Sequence, residues 1–337
     1  MVRKLKIVNH PEGDRPFSEY GIGVSKAGSR ASRVIRALLA RKEFAKSRRQ
    51  WLYDGPWPQV GREDLLRAHD AAFVDEFLSD APERILVQAY ELEDEAGNPR
   101  RFDPDKAERP LRDLVPRAMA QTEGTLQACR LALAAGFAYY LGGGMHHAGR
   151  AQCWGFCPVN DVVVAARRLQ AEGAVRRVWI VDTDAHRSDG SAEILLGDPT
   201  ILNLSIHMAA GWPLDGPLFD ADGRLARCRY PTTVDIPIQE GGEEMYCEAL
   251  SRGLALLETL SLQPPDLAVV VAGGDPWEQD GLESSKLLRL TQEQMLARDL
   301  LVYDFLSDRG IPQAWLMAGG YGAESWKIPY QFLTALA

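Results

Sequence analysis

The chain reads as an α/β protein, a single-domain three-layer α/β/α arrangement around a mostly parallel, doubly wound sheet. Three observations carry this expectation. Short apolar runs alternate with amphipathic stretches of helical period along the 337 residues. Several runs, "LAVVVAGG" above all, are apolar at every position rather than at alternate ones, as strands covered on both faces must be. Polar residues able to do chemistry gather directly behind those runs, where open α/β sheets bind ligands.

In chain order the strand candidates are "KIVNH", "FAYYLGG", "RRVWIVDTD", "TILNLSI", "LAVVVAGG" and "AWLMAGG". Helical patterns fall at 30–46, 63–79, 117–136, 159–172, 243–260 and 291–309. In the first, Val34, Ile35, Leu38 and Leu39 share one face, and the many cations form the solvated side. No linker-like break and no repeat of solenoid length interrupts the pattern, so residues 1–337 are expected to form one domain.

Composition narrows the function. A net charge of −9 repels phosphate, so nucleic acid is not an expected partner. "MVRKLKIVNHPEGD" lacks the apolar stretch and cleavage site of a signal peptide, and "LALAAGFAYYLGGG" is too short to span a bilayer. No membrane association is expected. Five scattered cysteines argue against a disulfide framework and for a reducing, cytoplasmic location. "CWGFC" has no second cysteine pair at zinc-ribbon spacing and is not expected to hold a structural zinc. Nothing in the sequence bears on oligomeric state.

Five strand ends, "GGGMHH", "DTDAH", "SIHM", "AGGDPW" and "AGGYG", are expected to converge on one site. In "VDTDAHRSDG", Asp182, Asp184 and His186 occupy alternate positions, with Asp189 three further on. By itself the stretch admits two readings: donors for a divalent metal, or caps and an Asp189-Gly190 turn. Asp275, behind the strongest buried-strand signal, is either an Asx turn before Pro276 or a third ligand. With Asp184 and His186 it completes an Asp-His-Asp set that leaves a tetrahedral metal one open position, a catalytic pattern. Two carboxylates neutralise a divalent cation and weaken its acidification of water, so a separate general base is needed. His146 and His147 supply imidazoles for that role, and Asp182 and Asp189 are natural orienters for them. The preceding "GGG" is no phosphate loop, since no GK[ST] follows. Tyr321, beyond two glycines, is an aromatic in a loop or a hydrogen-bond donor to a developing oxyanion.

The ordered series "GGGMHHA…GFCPVNDV", "VDTDAH..DG", "LSIH", "AGGDPWEQDGL" and "MAGGYG" resembles the zinc-dependent histone deacetylase superfamily. That superfamily includes acetylpolyamine amidohydrolases and acetoin-utilisation proteins and shares the arginase/deacetylase fold. The likeness runs from about residue 28 to near the C-terminus, and "QTEGTLQACRLALAAGFAYYLGGGMHH" looks similar to class IV and bacterial members. It implies metal ligands Asp184, His186 and Asp275, with Zn2+ as the ion and Fe2+ as the alternative. It implies His147 as general base, His146 as its partner, Asp189 and Asp182 behind them, and Tyr321 polarising the scissile carbonyl. It further implies a substrate tunnel at Gly155, Phe156 and Trp212. A buried K+ or Na+ ion is implied at Asp182 and Ser205, and a product-channel arginine at Arg30.

The resemblance implies hydrolysis of an N-acyl amide, acyl-lysine in a protein or peptide being the expected substrate. A small N-acyl amine such as an acetylpolyamine is the enzymatic alternative, and a non-catalytic acyl-lysine-binding module the alternative of another class. A two-metal ureohydrolase is disfavoured because Pro276 and Trp277, not a second acid, follow Asp275. Two departures stand out: Arg187-Ser188 within "DAHxGDG", and "EQDGLES" for "GDRLG". Both are expected to alter rim electrostatics and loop packing. The rim acid that grips a peptide backbone has candidates in "ELEDEAGN".

Overall fold

The central strands are largely apolar because each is covered on both faces. The computed structural model describes residues 5–23, 30–94 and 96–337, so Met1–Lys4, the start of the resemblance near residue 28, and Glu95 lie outside it. Strands β1 (Ile7–Val8), β2 (Phe137–Tyr140), β3 (Val178–Asp182), β4 (Ile201–Met208), β5 (Val234–Ile238), β6 (Leu267–Val271) and β7 (Gln313–Leu316) form one sheet. Its order is β1-β2-β7-β6-β3-β4-β5, and every pairing is parallel.

The first helices are α1 (Arg30–Leu39), α2 (Lys42–Lys46), α3 (Arg48–Trp51), α4 (Arg62–Leu65), α5 (Ala71–Phe77) and α6 (Glu83–Tyr90). They are followed by α7 (Leu114–Ala135), α8 (Asp161–Ala171) and α9 (Asp189–Leu195). The last are α10 (Tyr246–Leu260), α11 (Gln292–Asp308) and α12 (Lys327–Ala335). Strand side chains alternate between two separate cores. Val178, Ile180, Val269 and Leu316 join α5, α6, α7 and α8 on one face. Trp179, Val181, Val270 and Trp315 join α1, α10, α11 and α12 on the other. This is the three-layer α/β/α architecture expected.

The strand order positions the site. The neighbouring strands β2, β7, β6 and β3 are the four whose C-terminal ends carry the histidine pair, Tyr321, Asp275 and the "DTDAH" run. Residues far apart in sequence are thereby delivered to one edge of the sheet.

The structure departs from the sequence expectation in identifiable places. β5, "VDIPI", was not expected: Asp235 and Pro237 break its apolar run, which an edge strand tolerates because one side makes no ladder bonds. The 30–46 pattern divides into α1 and α2, and 63–79 into α4 and α5. α6, α9 and α12, each fewer than ten residues, lie outside the expected ranges. Asp189-Gly190 opens α9 rather than forming a turn. A Cβ on Gly190 would meet the His147 carbonyl carbon at 2.4 Å, so this glycine permits backbone approach.

The break between α4 and α5 contains His69, buried, with Nδ1 donating to Gly149 O at 2.7 Å. Its Nε2 accepts from Asn160 N at 3.0 Å. Burial, opposed by the Gly149 carbonyl, lowers its pKa to about 4. A neutral histidine in the fold and a titratable one in the unfolded chain have a definite linkage. The contribution is complete above pH 6.5 and is lost as pH falls through about 4. Its full size is about 3 kcal/mol, taking 1.36 kcal/mol per pKa unit. Urea unfolding of the wild type is expected to weaken across this window, and the slope should flatten in His69→Gln; identical slopes would contradict the assignment.

Candidate active site

Two imidazoles, each backed by a carboxylate, stand beside a buried Asp-His-Asp group. The loop after β2 is tied down by Asp161 at the start of α8, which accepts from Gly144 N at 3.0 Å and Met145 N at 2.6 Å. His146 and His147 follow it. His146 Nδ1 donates to Asp182 Oδ2 and His147 Nδ1 to Asp189 Oδ1, both at 2.6 Å. These bonds leave each Nε2 turned inward, and the two rings lie 4.0 Å apart.

The two histidines are driven to opposite charge states. Burial opposes protonation of His146, but the Asp182 and Asp184 carboxylates outweigh it and raise its pKa to about 9. Burial and the neighbouring His146 cation lower His147 to about 4. His146 is therefore cationic and His147 neutral at pH 7. Environments that split like groups in this way mark acid and base roles.

Asp184 and His186 lie on the curl of chain beyond β3, and Asp275 beyond β6. His186 Nδ1 is 3.2 Å from Asp184 Oδ1 and 3.1 Å from Asp275 Oδ2. All three residues are buried, and donor atoms of the trio lie within 4.8 Å of one another. Burial and the Asp184 charge push Asp275 up to about 6. Against the cost of burial, hydrogen bonds to Asp184 and Asp275 raise His186 to about 10. The imidazolium thus serves as the cation these acids share. A divalent ion bonded to the three would replace its proton, and the mixed oxygen and nitrogen set suits zinc or a similar metal. Glycine backbone makes the close packing possible: a Cβ on Gly319 would sit 2.4 Å from Asp184 Oδ2 and 2.6 Å from Asp275 Oδ2.

A second trio, His146, His147 and Asp184, also brings its donor atoms within 4.8 Å. It is the poorer metal site. It offers one carboxylate rather than two to balance a dication.

Two cavities meet at this cluster. The outer one, about 390 Å³, is lined by His147, Gly155, Phe156, His186, Trp212 and Tyr321. Trp212 packs edge-on against His147 and His186, with ring centroids at 4.6 and 5.3 Å. Gly155, at φ 58°, leaves no room for a Cβ beside His147 and Trp212, at 2.5 Å each. The inner cavity, about 450 Å³, runs from His146, His147, Asp184 and Tyr321 back to Arg30 and Arg117. Arg30 donates to Gly319 O at 2.7 Å and Ala318 O at 2.5 Å. Tyr321 lines both cavities, and burial with the nearby Asp275 and Asp184 charges raises its phenol well above the ordinary value. It stays a donor.

The remaining expectations divide. Asp182 and Ser205 are register partners on β3 and β4, so they lie abreast. Arg187 does not reach the rim. It is 4% exposed, and its guanidinium reaches Asp235 at 3.0 Å and the Cys228 and Tyr230 carbonyls at 2.6 Å, bracing β5. His207 of "SIHM" is turned from the cluster, donating to Met208 O at 2.7 Å with Asp235 3.5 Å away, so beyond this strand it is Trp212 that reaches the outer cavity. Among the acids of "ELEDEAGN", Glu91 lines the outer cavity and is ion-paired to Arg101 at 2.6 Å, while Asp94 closes a turn by accepting from Ala96 N and Asn98 N.

Three supporting residues had no role in the sequence reading. Trp154 Nε1 donates to Asp189 Oδ2 at 2.9 Å, fixing the acid behind His147. Asp280 accepts from Tyr321 N at 2.7 Å and Ser325 Oγ at 3.0 Å, fixing the tyrosine loop. Asp161, described above, is the third. Each lies inside a motif already singled out, and a buried acid or indole N–H beside chemistry-bearing residues is the signal that could have found it.

A parallel sheet with helices on both faces and a side-chain cluster at its central strand ends places the protein in the arginase/deacetylase fold class. A solved histone deacetylase homolog complexed with SAHA superposes with a TM-score of 0.70, covering 98% of this chain and 84% of that one. At 20% identity this likeness concerns the fold. Residues 26–335 match the histone deacetylase domain family, and the chain belongs to that family. Its relatives include an uncharacterized protein from Picosynechococcus, 31% identical over 65% of this chain and 67% of that protein. Histone deacetylase 2 of Arabidopsis thaliana is 27% identical over 62% of this chain and 50% of its own length. The acetoin utilization protein AcuC of Bacillus subtilis is 29% identical over 56% and 47%. The matched region thus spans about half the length of the latter two.

Proposed function

We propose that the protein is a metal-dependent amidohydrolase that removes an acyl group from an N-acylated amine, with acyl-lysine in a protein or peptide as substrate. The observation that carries this reading is a neutral, acid-backed His147 facing the Asp184-His186-Asp275 trio where two cavities meet. Family membership supports it. In this reading residues 1–337 act as one catalytic domain.

Asp184, His186 and Asp275 would hold the ion, Zn2+ or Fe2+, which when bound polarises the scissile carbonyl and acidifies the attacking water. The acylated amine threads between Phe156 and Trp212, whose rings exclude water from its stem. His147 Nε2 takes the proton from water, Asp189 stabilises the resulting imidazolium, and the same nitrogen returns the proton to the leaving amine. The Tyr321 hydroxyl donates to the carbonyl oxygen as negative charge develops there. Arg30 lines the inner cavity into which the carboxylate product passes. A K+ or Na+ ion beside Asp182 and Ser205 belongs to the same proposal, supported by their side-by-side register.

The test is a hydrolysis profile with defined metal loading across acetyl-lysine peptides, longer acyl-lysine peptides and acetylpolyamines. Turnover of the peptides supports the reading. Preference for acetylpolyamines would move the substrate to small molecules, and binding of an acylated peptide without turnover would make the protein a binding module.

A further inference from the structure

We propose that Arg298 is a positioning residue that holds the segments carrying Asp184 and Asp275 at the spacing a shared divalent ion requires. The proposal rests on the assignment of Asp184, His186 and Asp275 as metal ligands.

Arg298 lies in α11 and is 0% exposed, an environment in which a guanidinium is costly unless its donors are used. Asp299 Oδ1 accepts from Nε at 2.9 Å and lies 2.8 Å from Nη2, so the planar fork is aimed. The third nitrogen, Nη1, donates to two carbonyls at once: Thr183 O at 3.0 Å and Gly273 O at 2.7 Å. Thr183 immediately precedes Asp184, and Gly273 lies two residues before Asp275.

The position of this bridge is what gives it meaning. Ladder pairing between β3 and β6 ends with Thr183 N donating to Val271 O at 2.9 Å, and beyond that rung the two segments run on toward the site. Arg298 supplies the next tie, where the segments touch: a Cβ on Gly273 would lie 2.2 Å from Asp184 Oδ2. A side chain that only filled space between α11 and the sheet would need no charge there. A cation whose Nη1 spans both ligand-bearing segments sets their separation, in the manner of outer-shell groups that orient metal ligands.

The experiment compares wild type, Arg298→Met and Arg298→Lys as intact chains stripped of metal by chelation. Zn2+ is returned in competition with a chromogenic chelator, and the visible spectrum of Co2+-substituted protein reports ligand geometry. Zn2+ affinity is expected to fall about 10–100-fold in Arg298→Met, with an altered Co2+ spectrum, and to recover in good part in Arg298→Lys. A folded Arg298→Met with wild-type affinity and spectrum overturns the proposal whatever its stability, as does a loss that lysine does not repair. Should Arg298→Met fail to fold, Asp299→Asn releases the fork from its aim, and unchanged Zn2+ affinity and Co2+ spectrum there overturn the proposal equally. Wild-type protein that takes up no divalent ion would instead remove the ligand assignment, and this inference with it.

Discussion

Replacing His147 by alanine is expected to lower kcat by about 10²–10⁴-fold, the span that positioned proton transfer contributes. The effect sits at the large end of what one side chain can do because the proposed mechanism uses His147 twice, taking a proton from water and giving it to the amine. His146 is the poorer base: the Asp182 and Asp184 carboxylates beside it raise its pKa and favour its protonated form. The variant should keep its metal, since His147 is outside the Asp184-His186-Asp275 trio. Steady-state kinetics on metal-quantified protein check this. A full metal complement with unchanged kcat would remove His147 from the mechanism.

Tyr321→Phe is expected to lower kcat by about 10²–10³-fold with little change in KM, the usual result of losing one oxyanion donor. The substitution removes a single oxygen. The ring still packs on Phe156, at a centroid distance of 5.5 Å, and the backbone N–H still bonds Asp280, so the loop keeps its place. The hydroxyl is a competent donor because burial and the Asp275 and Asp184 charges hold its proton in place. A kcat equal to wild type would show that the phenol does not touch the reacting carbonyl.

Much of this arrangement was legible in the sequence, for reasons that differ between fold and site. β3 and β6 announced themselves because a doubly covered strand must be apolar at every position, as Val178–Val181 and Leu267–Val271 are. β5 stayed hidden because its edge position tolerates Asp235 and Pro237. The short helices α6, α9 and α12 supply too few residues for a periodic pattern to stand out.

The candidate site residues were legible because their types are chemically costly where they stand. Asp184, His186 and Asp275 behind apolar strands ask for a ligand to offset their burial. What sequence alone concealed was direction. Arg187, adjacent to His186, was expected at the rim, yet alternation along the chain turns it to Asp235 and away from the outer cavity. His207 is turned away likewise. Trp154 and Asp280 meet their partners across 35 and 41 residues, contacts that no local spacing encodes.

The account depends on one divalent ion held by Asp184, His186 and Asp275. The most direct measurement is metal content per chain, by elemental analysis of dialysed, metal-reloaded protein, for wild type, Asp275→Ala and His146→Ala. The account predicts one divalent ion per chain in the wild type, loss of that ion in Asp275→Ala, and its retention in His146→Ala. Two divalent ions per chain, retention in Asp275→Ala, or loss confined to His146→Ala would contradict it, the last by placing the metal on the neighbouring His146-His147-Asp184 group.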